Sequence, residues 1–141
     1  MLSTMDITKV DRDAADLTPL TPAVFHILLA LADGANHGYA IMREVDDLTG
    51  GRMRLGPGTL YRSIQRMLLD GLIVELTAQT GVEVDDERRR RYQLTPLGEA
   101  VARAEARRLA VLVEASRARG LLGDVGTRRR AGGAGARRGR A

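Results

Sequence analysis

Apolar residues recur along this chain at helical spacing in three short stretches, then in a β-like pattern, then at helical spacing once more. The first stretch begins at Thr21-Pro22, where a threonine cap and a proline at the first helical position lead into Val24, Ile27, Leu28 and Leu31 before Asp33-Gly34. The second follows Asn36, read as a cap. It spans His37 to about Leu48, with Tyr39, Ile41, Met42 and Val45 as apolar positions and Gly50-Gly51 as its stop. After a short extended link from Arg52 to Leu55, a third helix opens at Gly56-Pro57 and runs to about Asp70, where Gly71 supplies the left-handed exit. Its stripe is Leu60, Ile64, Met67 and Leu68.

Beyond Gly71 the period changes. The β-branched run from Leu72 to Thr77 and the segment from Arg91 to Thr95 predict two strands joined by a long turn, Ala78 to Arg90. Thr95-Pro96 repeats the cap-and-proline device and starts a long helix to about Arg119 with the seam Leu97, Val101, Ala104, Leu109, Leu112 and Val113. A small three-helix core has little surface with which to cover such a seam, so the simplest host is the same helix of a second subunit. Packing back on its own domain is the alternative.

The predicted fold is therefore mainly α with a small β-hairpin: a winged helix-turn-helix domain over residues 19–95 and a C-terminal dimerisation helix over 96–122. Residues 1–18 are rich in acids and poor in regularly spaced apolar positions, which predicts a flexible arm, and the Gly/Ala/Arg-rich residues 123–141 predict a disordered tail.

Composition narrows the function. With 141 residues, 44% of them hydrophobic, the chain is long enough for one domain with appendages. The 22 basic residues, almost all arginine, outweigh 18 acids and favour an anionic partner such as nucleic acid. There are 0 cysteines, so disulfides and thiolate chemistry are excluded. The longest apolar run, Ala23 to Ala32, is too short for a membrane span, and the acids and bases from Asp6 to Asp13 do not suit a secretory leader; a soluble cytoplasmic protein with no membrane partner is expected.

The polar side of the third helix carries Thr59, Arg62, Ser63 and Arg66, with Gln65 close by. Such side chains bond phosphates and base edges, and arginine engages guanine through two parallel hydrogen bonds, the chemistry of a recognition helix in the major groove. In the predicted turn the acids Glu83, Asp85, Asp86 and Glu87 precede Arg88, Arg89 and Arg90; the arginines suit phosphate, and the acidic tip is expected to point away from it. Catalysis finds no support. His26 sits in an apolar stripe, His37 starts a helix, and Gly56-Pro57-Gly58 has no Walker lysine, so neither a cofactor nor a metal is expected.

Four motifs in order carry more than composition does: His37-Gly38-Tyr39, Thr49-Gly50-Gly51, Gly56-Pro57-Gly58-Thr59-Leu60-Tyr61 and Asp70-Gly71-Leu72-Ile73, followed by Arg91 through Gly98. Together, over roughly residues 20 to 120, they resemble the PadR family of transcriptional regulators, in its subgroup with a short C-terminal helix. The resemblance implies a homodimeric winged helix protein that binds a double-stranded operator, usually as a repressor and often of genes beside its own. It implies DNA contacts at Pro57, Gly58, Thr59 and Tyr61, and a phosphate contact at Tyr39. Family members that respond to aromatic drugs stack them on tryptophan, of which this chain has 0, so a small-molecule effector is left without an identity. The competing reading keeps the fold and exchanges operator DNA for a protein or RNA partner, although RNA recognition calls for clustered aromatics and those present are scattered.

Overall fold

A computed structural model describes residues 12–76 and 90–123. Among them the order of elements is α1 (Pro22–Ala30), β1 (Asn36–His37), α2 (Gly38–Leu48), α3 (Pro57–Leu69), β2 (Ile73–Leu76), β3 (Arg91–Leu94) and α4 (Pro96–Ala118). The chain divides into two compact units after Ala106.

Local chemistry explains the boundaries in the first unit. At α1 the Val24 amide donates to Thr21 Oγ1 (3.3 Å), and Pro22 occupies the first turn, where no amide is needed. Between α2 and α3, Gly50 and Gly51 adopt positive φ (61° and 82°). The Thr49 hydroxyl closes that turn by donating to the Val45 carbonyl (2.9 Å) and accepting from the Met53 amide (3.0 Å). Asn36, expected as the cap of α2, instead pairs with Tyr92 in a short strand, and its side chain accepts from the adjacent His37 amide. Helix α2 accordingly begins one residue later than expected, at Gly38, with no side-chain cap.

The expected two-stranded hairpin is the larger part of a three-stranded antiparallel sheet ordered β1-β3-β2. β2 and β3 pair from Ile73 opposite Leu94 to Leu76 opposite Arg91, and β1 adds Asn36 opposite Tyr92 on the other edge. The turn expected to form the wing tip, with Arg88 and Arg89, lies outside the described residues.

The core gathers the predicted stripes: Ile27, Leu28 and Leu31 of the first, Ile41 and Val45 of the second, Leu60, Ile64 and Met67 of the third. Leu72, Ile73 and Tyr92 add the sheet. Two expectations are revised. Residues 12–16 are helical and Ala14 is buried in the core cluster, so the described part of the presumed N-terminal arm is anchored through that residue while its neighbours stay exposed. The seam of α4 also divides. Val101 is fully buried in the domain's own core, with Leu97 and Ala104 packed against it. A fourth α4 residue, Glu105, is 2% exposed and accepts a hydrogen bond from the Leu20 amide (3.3 Å). The domain's own core thus covers the seam as far as Ala104, and the part from Leu109 onward belongs to the second unit.

Within the second unit, Leu109 is half-buried while Val111, Leu112 and Val113 are exposed. Helix α4 ends at Gly120, whose φ of 75° takes the left-handed exit, with the Leu121 amide donating back to the Ser116 carbonyl (3.0 Å).

Thr95 joins the sheet to α4. Its hydroxyl donates to the Gly71 carbonyl (2.6 Å) and accepts from the Gly98 amide (2.9 Å), while its own amide donates to the Leu72 carbonyl (3.0 Å). Gly98 lies so close to Leu72 that a Cβ would collide with the Leu72 carbonyl oxygen and come within 3.0 Å of its carbon. Backbone cannot yield as a side-chain tip can. Gly98→Ala is therefore expected to destabilise the fold by about 3 kcal/mol, the upper end for overpacking, and Thr95→Ala by about 1–2 kcal/mol, the value of a lost cap; urea unfolding of both variants measures this.

Candidate nucleic-acid interface

Helix α3 divides cleanly between core and surface. Leu60, Ile64 and Met67 are at most 1% exposed, which turns Gly58, Thr59, Arg62, Gln65 and Arg66 outward. Pro57 is also exposed at the helix start, whereas Ser63 is half-buried on the flank of the stripe rather than at its centre. Gln65 and Leu69 take the central place: Leu69, not anticipated as a surface residue of interest, is 81% exposed on the same line as Arg62. Helical spacing would have found it, since seven residues return almost to the same side.

Two arginines of this face have defined partners. Arg62 donates through Nη2 to Thr59 Oγ1 (3.4 Å) one turn earlier, and Arg66 Nε lies 3.4 Å from Asp70 Oδ2 one turn later. Such exposed contacts contribute little to stability, so they orient side chains more than they hold the helix.

Tyr61 is half-buried and packs on α2. A Cβ on Gly38 would run into the Tyr61 hydroxyl and stand 3.0 Å from two ring carbons, so the glycine at the start of α2 is what lets the ring in. Tyr39, next in sequence, points the other way and is 52% exposed; it was counted as an apolar position of its helix and belongs to the surface instead. Additional arginines border this surface without having been singled out. Arg54, in the link before α3, is exposed and pairs with Asp46 (Nε to Oδ1, 3.6 Å), and Arg43 and Arg52 are exposed as well.

Of the three wing arginines, Arg90 alone is described; its Nε lies 3.7 Å from Glu75 Oε2 on the neighbouring strand. Arg88 and Arg89 lie outside the described residues. His26 donates from Nδ1 to the Pro22 carbonyl (2.6 Å), a local helix contact that occupies the ring nitrogen nearest its backbone. Among the described residues no cluster of metal-ligating side chains occurs, and no helix is long and apolar enough to cross a membrane.

A mainly helical domain with a small antiparallel sheet and an arginine-bearing third helix is a winged helix of the kind that regulates transcription. The model of the transcriptional regulator PadR-like family matches residues 27–104, and the chain belongs to that family. It is 38% identical over 84 residues to the transcriptional regulator Rv3488 of Mycobacterium tuberculosis, a match covering 60% of this chain and 72% of that one. It is also 37% identical over 86 residues to an uncharacterized 37.1 kDa protein in transposon TN4556 of Streptomyces fradiae; that match covers 61% of this chain and spans only 22% of the relative. Among solved structures, a transcriptional regulator from Clostridium thermocellum shares the fold, with a TM-score of 0.55 at 19% identity over 83% of this chain and 96% of that one. The family consists of transcriptional regulators rather than enzymes.

The contact between Gly38 and Tyr61 sets how α2 meets α3. Gly38→Ala is expected to lower stability by about 1–3 kcal/mol, and by much less in a Tyr61→Ala background, where the ring is gone; a double-mutant cycle in urea tests the coupling.

Proposed function

We propose that this protein is a homodimeric repressor that binds an inverted-repeat operator, placing α3 of each subunit in successive major grooves about 34 Å apart. The observation that carries the reading is the division of α3, in which one face is held in the core and the other offers Thr59, Arg62, Gln65 and Arg66. Arginine and glutamine suit guanine and adenine edges, respectively. Pro57, Gly58 and Ser63 border this face, and Tyr39 with Arg54 suits phosphate on one side of the groove. Tyr61 acts mainly by holding α2 against α3. Arg90, with Arg88 and Arg89 of the predicted wing, adds charge toward the backbone of the duplex.

Dimerisation rests on the second unit. Leu109, Leu112 and Val113 form an apolar face that a second copy of α4 would cover. A dimer seated on a promoter would exclude polymerase, which is the physical route to the repression proposed.

The decisive experiment selects duplexes from a random pool with the purified full chain and measures its mass by light scattering. An enriched two-fold symmetric site and a dimeric mass are expected; a monomer at micromolar concentration, or enrichment of single strands or structured RNA over duplex, would overturn the proposal. On the selected site, Arg62→Ala is expected to weaken binding by about 1–3 kcal/mol. Arg54→Ala is expected to weaken binding on every sequence alike and lower the salt slope by about 1.

A further inference from the structure

Asp70 stands where an acid is unfavourable on two counts. It is the C-cap of α3, facing the negative end of the helix dipole, and it borders the face proposed to meet a polyanion. The pair it makes is also the weaker orientation for helix stability, with the base preceding the acid. Neither stability nor raw affinity accounts for an acid at this position; geometry does.

The ion pair joins Asp70 Oδ2 to Arg66 Nε at 3.4 Å, with Nε as the nearest guanidinium nitrogen. A carboxylate beside Nε draws the guanidinium toward Asp70 and leaves the two terminal Nη groups as a fork. That fork is what bidentate contact to the O6 and N7 of guanine requires. Arg66 and Asp70 both line a depression whose other residues include Leu17, Leu20, Val24 and Met67, so the pair sits beside apolar surface. Both groups remain solvent-exposed, so the pair is weak in the free protein and strengthens as the groove excludes water.

We propose that Asp70 is a positioning residue for base recognition, which sets Arg66 as a guanine reader and at the same time repels phosphate at sites that lack the guanine. The inference rests on the DNA-binding reading above and adds to it a specificity determinant that does not itself touch a base.

The test compares the full chain with D70N and R66K by duplex selection, by affinity for random duplex and by thermal unfolding. Wild type is expected to enrich guanine at one position of each half-site. D70N should lose at least fivefold of that preference and bind random duplex severalfold more tightly, with its melting temperature held or raised, because removing the acid relieves the helix dipole. R66K keeps the charge but not the fork, and should lose the same preference without the gain on random duplex. A D70N variant that binds all sequences more tightly with the guanine preference intact would show that Asp70 acts only as a charge, and would overturn the inference. So would a D70N variant that melts earlier with its preference intact. If wild type enriches no duplex motif at all, the DNA-binding reading itself fails, and this inference with it.

Discussion

The C-terminal end of α3 is held by its junction with the sheet and α4, and the rest of the domain is arranged around it. Thr95 bonds the carbonyl of Gly71, receives the amide of Gly98, and donates its own amide to Leu72, so one residue ties the end of α3, the start of β2 and the start of α4 together. The missing side chain of Gly98 lets the helix approach the Leu72 backbone at van der Waals distance. These contacts satisfy backbone groups at a part-buried junction, so losing the bond to the Gly98 amide would leave a buried glycine's donor unpaired and cost more than a net hydrogen bond contributes. The junction is thus more rigid than any surface ion pair of the candidate interface.

A second close approach fixes the other end. Tyr61 fits against Gly38, and the turn closed by Thr49 and two left-handed glycines sets where α3 begins. Between these points the stripe Leu60, Ile64 and Met67 anchors the helix in the core. The rotation of α3, and with it the set of residues that face outward, follows from burial. The outward contacts of Arg62 with Thr59 and Arg66 with Asp70 then refine side-chain direction within a face already chosen.

Much of this was legible from residue spacing because helical stripes and cap-and-proline pairs are local signals. Helices α1, α3 and α4 begin at Pro22, Pro57 and Pro96, where proline presets the backbone, and α3 ends before Gly71, whose φ is 79°. The strand β1 was not legible. Two residues cannot show a period, and Asn36 reads as a cap until Tyr92 is known to lie opposite. Tyr39 illustrates a related limit, since an aromatic residue at a helical interval looks like core whether or not a neighbour covers it. The buried Glu105 was invisible for a different reason: a charge on a seam suggests solvent, and its partner, the Leu20 amide, is 85 residues away.

The sequence by itself determined every element but β1, their order, most of the core stripes and the arginine-bearing face of the third helix, because each depends on periodicity and on the local backbone preferences of proline, glycine and threonine. Only the tertiary structure decided which neighbour covers each stripe. Periodicity shows that a seam must be buried without saying against what, and so the α4 seam read as one surface when Val101 belongs to the domain's own core and Leu112 and Val113 do not. The same holds for the close approaches at Gly38 and Gly98, which arise from contacts between distant residues.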